Sequence, residues 1–132
     1  MFYFPEDLMQ TSDPMPASRR VLYVEDNALV REITCELLAD GPLEVVAVAT
    51  AEEALSAFRA QPFDLIVTDV SLPAMSGVEL VRQIQSIDAT VPIIFASGHA
   101  LNAEQYQLGS NVRTIKKPFD LPAFDALMRE LF

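Results

Sequence analysis

The sequence predicts an α/β fold: one domain in which five parallel strands and five helices make a doubly wound (βα)5 unit, strand order 2-1-3-4-5. Three observations carry that prediction. From Arg20 onward, short apolar runs alternate with segments of helical period, the pattern of a sheet built from βα units. Leu65, Ile66 and Val67 form a continuous apolar run without polar alternation, which suits a parallel strand covered by helices on both faces. The first, third, fourth and fifth runs also end in polar or charged residues, where open α/β sheets place their ligands.

Residues 1–18 contain three prolines and no sustained period, so they read as a poorly ordered lead-in to a domain spanning 19–132. Val21 to Val24 form the first strand, closed by Glu25 and Asp26. Leu29, Ile33 and Leu37, with Val30 and Leu38 beside them, make an inward helical stripe that stops at Gly41-Pro42. Val45 to Val48 form the second strand. Thr50 and Glu53 stand in capping-box spacing before a helix with Ala51, Ala54, Leu55 and Phe58 inward. Gln61-Pro62 stops it. The third strand delivers Asp69 to its tip, and Pro73 and Gly77 break the chain before a helix with Leu80, Val81 and Ile84 inward. Pro92 to Ala96 make the fourth strand, with Ser97 and Gly98 at its end. Leu101 to Leu108 has little apolar stripe and is expected to be a short or loose helix. Arg113 to Lys116 form a polar fifth strand suited to an edge, ended by Lys117-Pro118-Phe119. The last helix buries Phe124, Leu127, Met128 and Leu131. The first, third and fourth strands are the most uniformly apolar, which puts them in the middle of the sheet.

Composition narrows the function. Nine basic against nineteen acidic residues give a net charge of −10, which argues against direct contact with nucleic acid or an anionic membrane. The single cysteine, Cys35, excludes an internal disulfide framework and fits a reducing, cytoplasmic compartment, where it reads as a small core or boundary residue. No apolar run approaches the roughly 20 residues of a membrane span.

Right-handed crossovers bring the carboxyl ends of the strands together, and with them Glu25, Asp26, Asp69, Ser97 and Lys117. At an effective dielectric of about 20, two unit charges about 4 Å apart cost roughly 4 kcal/mol, so three clustered carboxylates call for a cation. Carboxylates plus a backbone carbonyl suit Mg²⁺, which keeps several waters and commonly binds alongside a phosphate. Lys117 and Ser97 add a point charge and a hydroxyl donor useful to a phosphoryl group. Phosphoryl transfer needs chiefly positioning and charge neutralisation, and in it Asp69 would be the nucleophile, forming an aspartyl phosphate.

These residues resemble the receiver domains of bacterial two-component response regulators. The resemblance covers Arg19 to Phe132 and rests on Val-Glu-Asp at 24–26, Asp-Val-Ser-Leu-Pro-Ala-Met-Ser-Gly at 69–77, Ser97-Gly98 and Lys117-Pro118-Phe119. It implies a flavodoxin-like sheet and Mg²⁺-dependent phosphorylation of Asp69 by a histidine kinase or histidine phosphotransfer protein. Asp26, Asp69 and the Ser71 carbonyl would ligate the metal, with Glu25 acting through water. Ser97 would bond the phosphoryl oxygen, Lys117 would pair with it, and the Lys117-Pro118 peptide would be cis. Gly98 would keep the approach to Asp69 open, and Ser71 and His99 stand where receivers tune phosphoryl lifetime, although His99 also fits a solvated loop.

Two departures stand out. Receivers commonly carry an aromatic residue where this chain has Thr114, and the 20-residue interval from Ser97 to Lys117 is short. Phe95-Ala96-Ser97-Gly98 looks like a receiver subgroup with Phe-Ala-Thr-Gly there, no aromatic switch and a loosened fourth helix. Phosphorylation is therefore expected to order the Leu101 to Leu108 segment. Nothing in the sequence suggests a DNA-binding module, so the chain is expected to be a stand-alone regulator without a DNA-binding output domain. Its signal would leave through the face of the fourth helix, fifth strand and last helix to a downstream protein, as a monomer or a weak phosphorylation-dependent dimer. It would be a phosphoacceptor rather than an enzyme. Two rivals have distinct signatures. A dehalogenase-like phosphatase normally has its nucleophile on the first strand with an aspartate two residues on, where this chain has Ser71 after Asp69. A protein-binding pseudo-receiver would not need the full set of acidic, hydroxyl and lysine groups.

Overall fold

A computed structural model of the chain describes residues 19–39, 43–98 and 108–132. The lead-in at 1–18, the helix stop at Gly41-Pro42, His99 and the expected helix from Leu101 as far as residue 107 lie outside the described residues. Among the described residues there are five strands: β1 (Arg19–Val24), β2 (Leu43–Val48), β3 (Leu65–Asp69), β4 (Ile93–Ser97) and β5 (Val112–Lys116). Four helices join them: α1 (Ala28–Ala39), α2 (Ala51–Ala60), α3 (Gly77–Ile87) and α4 (Leu121–Leu131). All strand pairs are parallel and the order is β2-β1-β3-β4-β5, as the apolar content of the strands predicts.

The unbroken apolar runs hide a period of two. Along β1, Leu22 and Val24 enter the cluster beneath α2 and α3, whereas Val21 and Tyr23 enter the opposite one with Leu38 and Phe124. Strands β3 and β4 divide in the same way: Ile66, Ile93 and Phe95 on one side, Leu65, Val67, Ile94 and Ala96 on the other. Burial on both faces is what removes polar alternation from the sequence. The polar β5 lies at one edge, as expected.

Helix starts follow local chemistry. Thr50 caps α2 by accepting from the Glu53 N–H at 3.1 Å, and the Glu53 carboxylate reaches back to the Ala49 N–H at 2.9 Å. The box therefore closes one residue earlier than its usual form. Ser76 caps α3 and Asp120 caps α4 in the same manner.

The α1 stripe departs from expectation. Leu29 and Ile33 are 66% and 58% exposed, and Leu38 is the helix's one fully buried residue. The inward rows run through Val30, Thr34 and Leu38 and through Arg31 and Cys35, one residue on from the predicted row. Thr34 and Arg31 interrupt the apolar pattern of the buried face, so the most hydrophobic row on paper is the solvent-facing one.

Candidate functional site

Register sets the site. Asp69 stands opposite Ala96, and Ser97 opposite Lys116, so Asp69, Ser97 and Lys117 emerge at the same end of adjoining strands. The Lys117 N–H donates to the Ser97 carbonyl at 2.6 Å, which continues the ladder one residue past β5, and the Lys117-Pro118 peptide is cis as expected. The Lys117 Nζ donates to Asp69 Oδ2 at 2.9 Å and to Glu25 Oε1 at 2.8 Å. The lysine thus bridges the carboxylates of β1 and β3 from a loop beyond β5.

Burial alone pushes the Lys117 ammonium pKa down, but its bonds to Glu25 and Asp69 outweigh that and leave it raised. The side chains of Lys117, Asp69 and Glu25 are 22%, 15% and 3% exposed, so the ion pairs are shielded from solvent. Asp26 is exposed beside them. One ligand oxygen from each of Glu25, Asp26 and Asp69 lies within 4.8 Å of the others. Three carboxylates against one ammonium leave a surplus of negative charge. A compact all-oxygen set of this kind fits a hard divalent cation such as Mg²⁺.

Several supporting residues escape a reading of sequence alone. Arg31 of α1 donates to the Glu25 carbonyl at 2.9 Å and pins the turn that carries the acidic pair. Thr68, fully buried, donates its hydroxyl to the Asp69 carbonyl at 3.0 Å. Gly77 lies so close to that carbonyl that a Cβ on it would sit 1.9 Å from the Asp69 oxygen. Its N–H donates to the Val70 carbonyl at 2.8 Å, closing the β3-α3 loop on itself. In the sequence Gly77 stands out only as a chain break after Pro73 and as the last residue of the motif at 69–77. In the same loop Ala74 has a φ of 66°, in the left-handed region.

The remaining predicted residues fall where strand geometry puts them. Ser71 is exposed in the loop after Asp69, Ser97 is buried at the tip of β4, and half-buried Thr114 pairs with Phe95 across β4-β5. A Cβ built on Gly98 meets no atom of the described residues within 4 Å. Tyr23 lies behind the site with its hydroxyl buried and without a hydrogen-bond partner among the described residues. Burial raises its pKa to about 12; nearby Thr34 pulls the other way without meeting hydrogen-bond geometry. No described helix is long and apolar enough to cross a membrane.

The chain is similar to known proteins over most of its length. The sequence profile described as response regulator receiver domain matches residues 21–129. Transcriptional regulatory protein CseB of Streptomyces coelicolor is 35% identical over 109 residues, covering 80% of this chain and 46% of that protein. Transcriptional regulatory protein FixJ of Azorhizobium caulinodans is 34% identical over 118 residues, covering 87% and 56% respectively. The chain thus spans about half the length of these curated relatives. Among solved structures, chemotaxis protein CheY4 of Vibrio cholerae superposes with a TM-score of 0.78 at 26% identity, over 88% of this chain and 100% of that one. The receiver domain of a sensor histidine kinase from Pseudomonas aeruginosa PAO1, with a magnesium ion coordinated in its active site cleft, gives 0.77 at 27% identity, over 87% and 98%.

Proposed function

The chain belongs to the response regulator receiver domain family, and on that premise we propose that Asp69 is the phosphoryl acceptor of a two-component or phosphorelay pathway. The observation that carries this reading is the Lys117 ammonium, 2.9 Å from Asp69 and 2.8 Å from Glu25, inside a cluster of three carboxylates. An Asp69 carboxylate oxygen attacks the phosphorus of a phosphohistidine, an O–P bond forms as the P–N bond breaks, and the departing imidazole nitrogen takes a proton. Lys117 neutralises charge on the transferred group, and the Ser97 hydroxyl donates to one of its oxygens. Asp26, Asp69 and the Ser71 carbonyl would hold Mg²⁺, with Glu25 beside it. The metal, when bound, supplies further charge neutralisation on the phosphoryl oxygens.

The donor is a histidine kinase or histidine phosphotransfer protein. The exposed row of α1 supports a docking role: Ile33, with Val30, Thr34, Leu37 and Lys117 to Phe119, lines a groove of about 420 Å³ at the rim of the site, and Leu29 is exposed on the same helix. Apolar exposure on this scale beside a charged centre is what a protein partner would cover. The chain acts as an acceptor that assists its own phosphorylation and dephosphorylation rather than as a turnover enzyme. Its output is a changed protein-binding surface, since a net charge of −10 offers little to a nucleic-acid backbone. The kinase partner entails a cytoplasmic setting.

Acetyl phosphate with Mg²⁺ tests the proposal directly. The expected result is one phosphoryl group per chain, lost on chelation and in Asp69→Ala. Labelling that persists in Asp69→Ala, or no labelling of the wild type, overturns it. Leu29→Glu with Ile33→Glu separates docking from chemistry: transfer from a cognate kinase falls at least about tenfold, while uptake from acetyl phosphate is unchanged.

A further inference from the structure

The groove beside α1 is lined on the helix side by Val30, Ile33 and Leu37 and on the loop side by Pro118 and Phe119, and the described residues leave it open. Leu29 and Ile33 on the same helix are exposed. A phosphodonor covers this face only while it is docked. Between encounters the apolar surface stands in water, which favours any apolar segment able to reach it.

Charge argues against a second copy as that segment. Glu32 and Glu36 are exposed on α1 beside Ile33, so two such helices brought together would set these carboxylates against one another in molecules that each carry a net charge of −10. The chain's own residues 1–18 meet the requirement better. Phe2-Tyr3-Phe4 is the one run of three aromatic residues in the sequence, and aromatic rings bury about 150–250 Å² each.

Reach is sufficient. Residues 5–18 make a connection of 14 residues, which at about 3.3 Å per residue spans up to about 46 Å. The connection leads to Arg19, the first residue of β1, which pairs with Leu43 of β2. Because β1 and β2 are parallel, α1 has to return the chain to the Arg19 end of the sheet, so the Leu37 end of the groove lies on that side. Strand β1 has six residues and is about 20 Å long, which leaves the whole groove within the span of the connection.

We propose that Phe2, Tyr3 and Phe4 occupy the α1 groove of their own chain when no phosphodonor is docked, and that a donor has to displace them. The segment is then a built-in competitor for the donor surface, and it covers α1 rather than the carboxylates. Tethering sets an effective concentration of about 1 mM; a contact with an intrinsic Kd of about 0.1 mM is then closed about ten times as often as open, and removing it raises donor access by about tenfold. The contact itself does not depend on the receiver reading; its consequence for phosphotransfer rests on that reading.

The test compares the whole wild-type chain with the whole chain carrying Phe2→Ser, Tyr3→Ser and Phe4→Ser. In methyl NMR the wild type is expected to show cross-relaxation from the rings of residues 2–4 to the Ile33 and Leu37 methyls, unchanged on about tenfold dilution. The triple variant should lose it, with a shift of the same methyl signals. Transfer from a histidine kinase that phosphorylates the chain should rise by about tenfold in the variant, while uptake from acetyl phosphate stays the same. Groove methyl signals identical in the two chains overturn the proposal. So does cross-relaxation that disappears on dilution, which assigns the groove to residues 2–4 of a second copy, and so does kinase transfer that is equal or slower in the variant. The NMR contact is read without phosphorylation, so failure of the receiver reading shows separately, as absence of uptake from acetyl phosphate by the wild type.

Discussion

Gly77→Ala tests how the acceptor strand is coupled to the helix that follows it. The added Cβ would lie 1.9 Å from the Asp69 carbonyl oxygen, 2.9 Å from its carbon and 3.1 Å from the Val70 Cα. A carbon and a carbonyl oxygen need at least about 3.3 Å, so about 1.4 Å must be opened. All three neighbours are backbone atoms, and no side chain can swing aside. The Gly77 N–H···O=C bond to Val70, now 2.8 Å, is the first casualty. Loss of a buried backbone bond costs about 1–3 kcal/mol and overpacking another 1–3. Alanine's better helix propensity returns at most about 1. A net loss of roughly 2–4 kcal/mol is expected in urea unfolding at unchanged m-value. Because the displaced atoms belong to Asp69, Mg²⁺ affinity and acetyl phosphate uptake should fall as well. A variant within about 0.5 kcal/mol of wild type, with Mg²⁺ binding intact, would refute the claim that this contact sets the acceptor loop.

Other substitutions probe separate parts of the molecule. Lys117→Met leaves Glu25 and Asp69 without their cation; the cost in chelator is about 2–3 kcal/mol, the low end for a shielded pair because Lys117 is 22% exposed, and Mg²⁺ should restore much of it. Equal stability with and without metal would contradict that account. Ala74→Gly relieves a left-handed residue at φ 66° and should stabilise by about 0.5 kcal/mol, the conformational relief exceeding the entropy of the freer unfolded chain; destabilisation by urea titration would refute it. Tyr23, with its pKa raised to about 12, and Lys117, also raised, both hold their protons more tightly when folded. Their contribution is complete below pH 10 and is lost as pH rises through the folded values, with Tyr23 accounting for roughly 1.4 kcal/mol per unit between 10 and 12. Tyr23→Phe should remove that share of the alkaline slope at little cost near neutrality, since the hydroxyl it deletes has no hydrogen-bond partner among the described residues.

Much of the fold and the site's inventory was legible because each signal is local. A strand buried on both faces shows as an uninterrupted apolar run, and a charged residue at its end has nowhere to go but the crevice; Asp69 was read that way. Thr50 and Glu53 announced their helix through bonds made within four residues. Other features had no local signature. Thr34 and Arg31 disguised the buried face of α1, and the apolar row of Leu29 and Ile33 proved to be its outer surface. Tyr23 looks like any member of an apolar strand until its hydroxyl is seen beneath α1. Glu25 reads as half of an acidic pair, and nothing in its neighbours along the chain says that it holds a lysine.

The amino-acid order alone determined which segments are strands and helices, which strands are central, and which charged groups stand at strand ends, because hydrophobic period and capping act over a few residues. Only the tertiary structure decided that Lys117 meets Glu25, 92 positions away, and that Gly77 rests against the Asp69 carbonyl. Those contacts come from successive crossovers and from the ångström-scale fit of loops. Such long-range geometry is fixed by packing the whole sheet at once and leaves no periodic trace in any one stretch of chain.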